Sequence, residues 1–448
     1  MGREFAIVNH RWQRATGGLF LGFNPISTIE KAERAVLVGI ELGETVGIAA
    51  EDSLTELGAL AESAGAEVVE SVTQKLKSPD PRTFIGRGKA QQVREIAQAK
   101  DATIAIFDDA LSPAQARNLE KEIGLRVIDR SQLILDIFAQ RARTLEGKLQ
   151  VEIAQLTYLQ PRLTRQWAHL SRMTGGSGSG GGRIGTRGPG ETQLEVDRRR
   201  LRERLVRLRT RLRDVERTRS IQRRRRIEVP FPTVALVGYT NSGKSTLMNA
   251  LTHAGVEAAD RPFSTLDPTI RRLKLPGRIN AMIADTVGFI HRLPHMLVEA
   301  FKATLEEVRT ADLLLHVVDA SSPLAAERMD VVDRVLREIG ATGAPRIVVM
   351  NKTDLMEPGA RIPSGPDTVA ISALRADGLE RLLEAIARSF ATMREEVAVR
   401  IPSARGDLVA MARRDGEVLS EEYQDGTVAI RARVSGAVAG RLRKAAIA

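Results

Sequence analysis

Glycine, lysine and hydroxyl residues follow an apolar run in the segment VALVGYTNSGKST, residues 234–246. In this spacing, Gly238 and Gly243 let backbone N–H groups curve around a phosphate, and the start of the following helix adds its dipole. Lys244 is then placed to bridge β- and γ-phosphate oxygens, and the Ser245 hydroxyl to coordinate Mg²⁺. The segment predicts a phosphate loop with contacts from Gly238, Tyr239, Thr240, Asn241, Ser242, Gly243, Lys244, Ser245 and Thr246.

Two later segments indicate which base accompanies the phosphates. IVVMNKTD and TVAISAL are apolar runs that end in polar or small residues. Asp354 can accept hydrogen bonds from both N1–H and N2–H₂ of guanine, whereas adenine lacks this donor pair and leaves the carboxylate unpaired. A backbone N–H at Ser372 and Ala373 can meet the guanine oxygen. The sequence therefore predicts GTP and GDP as ligands, held by Asn351, Lys352, Thr353, Asp354, Ser372, Ala373 and Leu374.

Residues 281–288, AMIADTVG, supply groups for the metal and the terminal phosphate. The apolar run ends in Asp285, which falls on the metal side. The backbone N–H of Gly288 faces the γ-phosphate. The predicted nucleotide contacts in this segment are Asp285, Thr286, Val287 and Gly288.

Hydroxyl residues in RPFSTLDPT, residues 261–269, are candidates to complete the Mg²⁺ shell when the γ-phosphate is present. Thr265 is the first choice, Thr269 is the alternative, and a plain surface turn is a third interpretation. A loop that the γ-phosphate and metal put in order is a two-state switch, and residues 261–269 are called switch I. Its predicted nucleotide contacts are Phe263, Ser264, Thr265, Leu266 and Asp267. The predicted metal ligands are Ser245 and Thr265, and the predicted catalytic set is Lys244, Thr265, Asp285 and Gly288.

These motifs stand at the carboxyl ends of strand-like runs, where an open α/β sheet places its ligand. They predict a P-loop GTPase domain at residues 229–396. Strand-like and helical runs also alternate nearer the start of the chain, which predicts a small α/β domain at residues 1–140. The expected buried strands are RAVLVGIEL, AEVVESV, TIAIFDD and LRVID, and the helix SPAQARNLEKEIG should begin with Ser112 as its N-cap and Pro113 at its first position. A basic helical hairpin is predicted at 141–228 and a small α+β domain at 397–448. The expected fold class is α/β.

Heptad-spaced apolar residues on both sides of a glycine-rich stretch predict two helices packed as an antiparallel hairpin. Pro161 should kink the first helix. The expected seam consists of Leu149, Ile153, Leu156, Leu163, Leu201, Leu205, Leu208, Leu212 and Val215. Nine of the sixteen residues from 175 to 190 are glycine. This stretch does not follow a buried strand, as a dinucleotide loop must, so we interpret it as the hairpin tip.

The hairpin carries the excess positive charge of the chain. The formal net charge is +11, and residues 198–226 hold fifteen arginines against three acidic residues, so the remainder sums to 11 − 12 = −1. We interpret the tip as an element inserted into ribosomal RNA and the arginine helix as a contact to RNA phosphates. A slack linker, a solvated charged face and a membrane-surface helix are the alternatives, although the Leu and Val stripe lacks the aromatic residues of the last. The predicted RNA contacts are Arg183, Arg187, Arg198, Arg199 and Arg200.

Composition excludes several other classes. The chain has no cysteine, which excludes a disulfide framework and a zinc–thiolate site and fits a reducing compartment. The first residues lack the apolar core of a signal peptide, and no run of about 18 apolar residues is present. We expect a cytoplasmic monomer without stable membrane insertion, and a peripheral association with a membrane stays open.

The motifs GYTNSGKST, FSTLDPT, DTVGF, NKTD and SAL resemble the Obg–HflX group of translation-type GTPases. Four further stretches resemble HflX proteins in particular. They are FIGRGK (84–89), FDDALSPAQARNL (107–119), LDIFAQRART (135–144) and GGGRIGTRGPGETQLEVDRR (180–199). The resemblance implies a GTPase that binds the large ribosomal subunit and its RNA and that separates stalled or stress-idled ribosomes. It also implies that the N-terminal domain and the hairpin approach the peptidyl transferase region.

Several questions stay open at this point. An RNA-binding ribosome-assembly factor that uses GTP as a sensing ligand is the main alternative function, and a membrane-associated GTPase is a further one. The family is associated with ATP as well as GTP, so a secondary ATPase activity is open, without assigned residues. Phe289 follows Gly288, where many GTPases carry a water-orienting glutamine. We therefore expect slow intrinsic hydrolysis that a partner accelerates.

Overall fold

The computed structural model describes residues 33–42, 49–174, 189–226, 231–252, 262–263, 265, 269–292, 302–357, 359, 361–362 and 365–447. Most of the residues singled out from the sequence lie in these ranges. The predicted contacts Arg183, Arg187, Ser264, Leu266 and Asp267 lie outside the described residues.

A parallel four-stranded sheet organises the first part of the chain, residues 33–141, which is called the N-terminal unit below. Its strands stand in the order β2-β1-β3-β4, and its bounds are β1 Arg34–Leu42, β2 Glu67–Leu76, β3 Ile104–Phe107 and β4 Arg126–Asp129. The central strands β1 and β3 are continuous apolar runs, because a parallel sheet covered by helices buries both faces. Strand β2 was expected to be buried, but it lies at the sheet edge and is mostly half-exposed.

Four helices cover this sheet, namely α1 Ala50–Ala64, α2 Arg87–Ala99, α3 Pro113–Ile123 and α4 Arg130–Arg141. The predicted start of α3 is confirmed. The Ser112 side chain accepts a hydrogen bond from the Gln115 backbone, the Gln115 side chain returns one to the Ser112 backbone, and Pro113 follows. Such a capping box satisfies N–H groups that a helix start otherwise leaves unpaired.

Two long helices form the predicted antiparallel hairpin, α5 Leu145–Thr174 and α6 Pro189–Arg226. Glu152 of α5 pairs with Arg204 of α6 at 2.7 Å. Burial raises the pKa of Glu216 on α6, and the nearby carboxylate of Glu146 on α5 raises it further. The earlier residue of α5 thus faces the later residue of α6, so the two helices run antiparallel. Leu205 and Leu208 are buried in the seam, and α5 continues as one helix through Pro161.

A six-stranded sheet forms the next unit, in the order β10-β9-β8-β5-β7-β6. Its strands are parallel except β6, which is antiparallel to β7. The strands are β5 Thr233–Gly238, β6 Thr269–Leu275, β7 Ile279–Asp285, β8 Leu313–Asp319, β9 Arg346–Asn351 and β10 Thr368–Ala370. The helices are α7 Lys244–Thr252, α8 Lys302–Arg309, α9 Ala325–Glu338 and α10 Leu379–Thr392. The carboxyl ends of β5, β7, β9 and β10 carry the predicted nucleotide motifs.

The last part of the chain builds a three-stranded antiparallel sheet in the order β11-β13-β12. Its elements are β11 Glu395–Pro402, α11 Gly406–Asp415, β12 Glu417–Gln424, β13 Thr427–Val434 and α12 Gly436–Lys444. These elements share their own apolar cluster, which includes Ile401, Val434 and Leu442. Strand β11 begins at Glu395, slightly before residue 397, and the four predicted domain boundaries stay predictions. Within the described residues, no helix has the length and hydropathy to cross a membrane.

Candidate nucleotide-binding site

The phosphate loop follows β5 and depends on two glycines. Gly238 has φ 156°, and a Cβ there would lie 2.3 Å from the Val317 carbonyl oxygen. Gly243 has φ 90°, and a Cβ there would lie 2.3 Å from Nδ2 of Asn351. The backbone oxygen leaves no room for a side chain at Gly238, and the positive φ strains any residue other than glycine at Gly243, where the Asn351 amide also lies close. The loop can therefore wrap closely around a ligand, as the sequence spacing predicted.

Lys244 is buried at the start of α7, immediately after Gly243. Its Nζ donates hydrogen bonds to the carbonyls of Tyr239 at 2.7 Å and Gly238 at 3.1 Å. Burial lowers the pKa of Lys244 to about 8, and the Asp285 carboxylate opposes that shift. An anion in the loop would favour the charged ammonium, so the site is electrostatically suited to phosphate.

Three oxygen-bearing side chains converge beside the lysine, from different parts of the chain. Ser245 Oγ lies 2.7 Å from Asp285 Oδ2 and 2.8 Å from Thr265 Oγ1, and Thr265 Oγ1 donates to Asp285 Oδ2 at 2.9 Å. Oδ1 of Asp285 is buried without a hydrogen-bond partner, and burial raises the pKa of this carboxyl. Hydroxyl and carboxylate oxygens are the ligands that Mg²⁺ prefers, and an unpaired buried oxygen is the atom a cation would satisfy. The residues present fit this metal.

The residues that follow Asp285 pack directly on the phosphate loop, and residues 285–292 are called switch II. A Cβ on Gly288 would lie 2.9 Å from Cα of Thr240 and 3.0 Å from Nζ of Lys244. Phe289 N–H donates to the Gly238 carbonyl at 3.0 Å, and Thr240 N–H donates to the Phe289 carbonyl at 2.7 Å. Gly288 is thus next to the lysine, and the predicted contact of its N–H with the γ-phosphate stays a prediction.

The base-recognition motifs are joined to the phosphate loop by one amide. Asn351 Nδ2 donates to the Ser242 carbonyl at 2.8 Å, and Asn351 Oδ1 accepts from the Ala373 N–H at 3.0 Å. Asp354 accepts from the Ser372 hydroxyl at 2.6 Å. These contacts bring the ends of β9 and β10 together with the loop, and Asp354 lies at the same edge of the sheet.

The other predicted contacts have varied surroundings. The Thr286 hydroxyl donates to the Leu236 carbonyl, Lys352 pairs with Asp319 at 2.9 Å, and Leu374 is 78% exposed. Ser242, Thr240 and Val287 are buried, Asn241 is exposed, and Thr246 and Thr353 are half-buried. The ring of Phe263 does not follow the expectation of a nucleotide contact: it packs against Phe138 of the N-terminal unit. Arg198, Arg199 and Arg200 are exposed on α6.

Sequence reasoning missed the side chains of the N-terminal unit that reach the GTPase sheet. Ser63 Oγ donates to the Pro262 carbonyl at 3.1 Å, and Arg292 pairs with Asp109 at 2.5 Å. Asp109 and Phe138 lie inside two stretches that resemble HflX proteins, but a single sequence gives no signal that pairs them with switch residues.

Three features lie together at one edge of the six-stranded sheet: the phosphate loop, the cluster of hydroxyl and carboxylate oxygens, and the segment from Asn351 to Asp354. Together they define a P-loop GTPase. Family models match along most of the chain: "GTP-binding GTPase N-terminal" at residues 51–139, "GTP-binding GTPase Middle Region" at 141–226 and "50S ribosome-binding GTPase" at 233–352. The agreement extends beyond the nucleotide site.

Comparison with known proteins identifies the family. GTPase HflX of Caldanaerobacter subterraneus subsp. tengcongensis is 46% identical over 92% of this chain and 93% of its own. GTPase HflX of Escherichia coli strain K12 is 46% identical over 90% of this chain and 94% of its own. A GTP-binding protein of Sulfolobus solfataricus in complex with GDP aligns structurally over 80% of this chain and 98% of its own, with 26% identity and a TM-score of 0.42. On the sequence identities, the chain belongs to the HflX family of GTPases, and it is a GTP-hydrolysing enzyme.

Proposed function

We propose that this GTPase is a GTP-dependent switch that binds the large ribosomal subunit and separates or rescues stalled and stress-idled ribosomes. The match of residues 233–352 to ribosome-binding GTPases is the observation that carries the proposal. The exposed arginines of α6 support it, because phosphate-rich RNA is the polyanion that a ribosome offers. A cytoplasmic location and a monomeric state follow from this role.

At the nucleotide site, the predicted catalytic and metal-binding residues have distinct roles in the proposal. Mg²⁺ would neutralise negative charge on the phosphates. Ser245 and Thr265 would hold it, with Asp285 beside them. Lys244 and the Gly288 N–H stabilise the γ-phosphate. Phe289 offers no side-chain hydrogen bond for the attacking water, so intrinsic turnover is slow until the ribosome supplies a polar group.

The arginine face of α6 is the proposed contact to ribosomal RNA. Arg198, Arg199 and Arg200 begin it, and Arg183 and Arg187 of the predicted hairpin tip extend it. Binding through phosphates releases counterions, so if about eight arginines take part the log–log salt slope should be near −7. A flat salt response would contradict a phosphate contact.

The deciding experiment is GTP hydrolysis by the full chain with and without purified large ribosomal subunits. The test variant reverses the charges of Arg198, Arg199 and Arg200 to Glu, and a charge-matched control reverses the exposed Arg388, Arg400 and Arg405. We expect strong stimulation of the wild type and the control, and loss of stimulation in the test variant with unchanged intrinsic turnover. Equal stimulation of both variants would remove the α6 face from the interface. A wild-type chain that binds subunits without stimulated turnover would favour the assembly factor that uses GTP as a sensing ligand.

A further inference from the structure

Two residues with large side chains hold a left-handed backbone in the two switches. Phe263 of switch I has φ 57°, and Arg292 of switch II has φ 55°. This region is strongly disfavoured for bulky residues, and such conformations persist only where surrounding structure imposes them. The groups that contact these two residues are therefore the groups that hold the switches.

The N-terminal unit supplies those groups at switch I. The ring of Phe263 meets the ring of Phe138 from α4, with centroids 4.6 Å apart and planes at 74°. Both rings are buried. The preceding residue, Pro262, accepts a hydrogen bond from the buried Ser63 hydroxyl of α1 at 3.1 Å. Two consecutive residues of switch I are thus fixed by two helices of another unit.

The same unit supplies the contacts at switch II. The Arg292 guanidinium lies 2.5 Å from Asp109 Oδ1 and 3.4 Å from Asp108 Oδ2, at the carboxyl end of β3. Asp108 is held in turn by Arg130 at 2.7 Å and by the Ser53 hydroxyl at 2.6 Å. The strained arginine is therefore anchored on a carboxylate pair that the N-terminal unit keeps in place.

The position of Thr265 depends on the hold at switch I. Thr265 follows Phe263 closely in the chain, and its hydroxyl lies within 2.9 Å of both Ser245 Oγ and Asp285 Oδ2. A ligand group held in its bound position before binding costs less to order when the ligand arrives. The contacts to residues 262 and 263 have this effect on the metal-binding hydroxyl.

We propose that Ser63 and Phe138 of the N-terminal unit are positioning residues of the GTPase site. They hold Pro262 and Phe263 so that Thr265 stays at the metal cluster, while Asp108 and Asp109 hold switch II through Arg292. This inference rests on the proposed function, in which the Thr265 hydroxyl would hold Mg²⁺ when the γ-phosphate is present. The positioning therefore favours Mg²⁺·GTP and leaves the affinity for GDP unaffected.

The test compares nucleotide affinities of the full chain with Phe263→Ala, Phe138→Leu and the double variant. A fluorescent non-hydrolysable GTP analogue with Mg²⁺ and fluorescent GDP are titrated against each protein. We expect each single variant to bind the GTP analogue about three- to tenfold more weakly, the range of an edge-to-face aromatic pair. GDP affinity stays at the wild-type value. The double variant should bind the GTP analogue no more weakly than the more affected single variant, because both substitutions remove the same interaction.

The N-terminal unit contains a matched control. Phe84 also has φ 65°, is buried, and meets Phe107 edge-on with centroids 6.4 Å apart. Phe84→Leu removes a strained phenylalanine and an aromatic contact of the same kind, but away from both switches. Its affinities for the GTP analogue and GDP should equal those of the wild type.

Ser63→Ala keeps the proposal testable if the phenylalanine variants fold poorly, since it removes one hydroxyl. We expect about a two- to tenfold loss of GTP-analogue affinity with GDP affinity retained, as for one hydrogen bond. A folded Ser63→Ala chain with a wild-type ratio of the two affinities would overturn the proposal. Parallel losses of GTP and GDP affinity in the phenylalanine variants, or additive effects in the double variant, would overturn it as well.

Discussion

The four-stranded and six-stranded sheets of this molecule present the same kind of edge and use it differently. Ligands of open α/β sheets bind beyond the carboxyl ends of the strands. At that edge of the six-stranded sheet, Asp285 Oδ1 and Ser242 Oγ are buried without hydrogen-bond partners. At the corresponding edge of the four-stranded sheet, Asp108 and Asp129 are buried and paired with groups of the chain itself. This edge of the N-terminal unit is called the N-terminal edge, and that of the six-stranded sheet the nucleotide edge.

The pairing at the N-terminal edge is extensive. Asp129 accepts hydrogen bonds from the N–H groups of Leu111 and Gln132, from the Tyr158 hydroxyl and from Arg162. Asp108 accepts from Ser53, Arg130 and Arg292, whereas Asp109 Oδ2 and Arg130 Nε are buried without hydrogen-bond partners. Internal arginines occupy this edge, whereas we propose that phosphates and a metal bind at the corresponding edge of the six-stranded sheet. Whether the chain satisfies its own edge charges thus separates a joint between units from a binding site.

Arg130→Met should break the N-terminal edge and give the largest loss of stability. Arg130 is 2% exposed and pairs with both Asp108 and Glu56, so its removal takes the arginine partner from Glu56 and leaves Asp108 with only the longer contact to Arg292. Breaking a buried pair costs about 3–5 kcal/mol. Urea unfolding of the full chain measures the loss, with the exposed Arg94→Met on α2 as a control near zero. A loss below about 1 kcal/mol would mean that the edge does not depend on this cation.

Asp285→Asn is the counterpart at the nucleotide edge, and its effect should fall on activity. We expect GTP hydrolysis to drop about 10²- to 10³-fold, the range for removing a preorganised charge from a reaction site. The nucleotide-free protein should keep or gain stability, because burial raises the pKa of this carboxyl and its charge is costly in the fold. Kinetics and urea unfolding of the same preparation test both. Unfolding at lower urea would make Asp285 a structural residue like Asp108.

The two edges also differ in how far the sequence predicts them. The nucleotide site was predictable because its residues lie in short segments whose local spacing encodes the chemistry: Gly238 to Ser245 form one turn and one helix start. Alternation with helices also predicts the parallel pairing of most strands, although not their order or the antiparallel strand β6. The structure places these segments together as expected, with Thr265 rather than a surface turn beside Ser245.

The joint between the units could not be predicted in this way. Ser63, Phe138 and Phe263 are ordinary residue types far apart in sequence, and nothing local pairs them. The left-handed backbone of Phe263 and Arg292 opposes local preference, so only tertiary contacts determine it. The half-exposed strand β2 was mispredicted as buried for a related reason, since an edge position is a property of the assembled sheet.

His316 lies on strand β8 of the six-stranded sheet and tests, through pH, the contrast between unpaired and internally paired buried groups. It is 1% exposed, its Nδ1 has no hydrogen-bond partner, and burial lowers its pKa from 6.5 to about 4. The unfolded chain therefore binds the proton at higher pH than the fold does. The free energy of unfolding that depends on neutral His316 is fully present above pH 6.5. It decreases as pH falls towards 4, by about 3 kcal/mol in total.

His316→Leu should remove that share of the acid sensitivity. Urea midpoints between pH 4 and 7.5 should decrease less steeply with acid than those of the wild type, and the two pH profiles should run parallel above pH 7. Profiles that stay parallel down to pH 4 would show that another group governs the acid transition.

Ser112→Ala should give the smallest effect and sharpen the comparison at the helix starts. Helix α3 begins at the N-terminal edge under the Ser112 capping box, whereas α7 begins directly after Gly243, which has no side chain to cap it. Loss of the cap should lower stability by about 1 kcal/mol and leave GTP hydrolysis unchanged.

Thermal unfolding with and without ATP or GTP then tests what the N-terminal edge binds. The deficit of the variant should be the same in every condition, because the chain itself satisfies this edge. A deficit that ATP alone removes would show that the edge takes a nucleotide and would abolish the distinction between the two sheets.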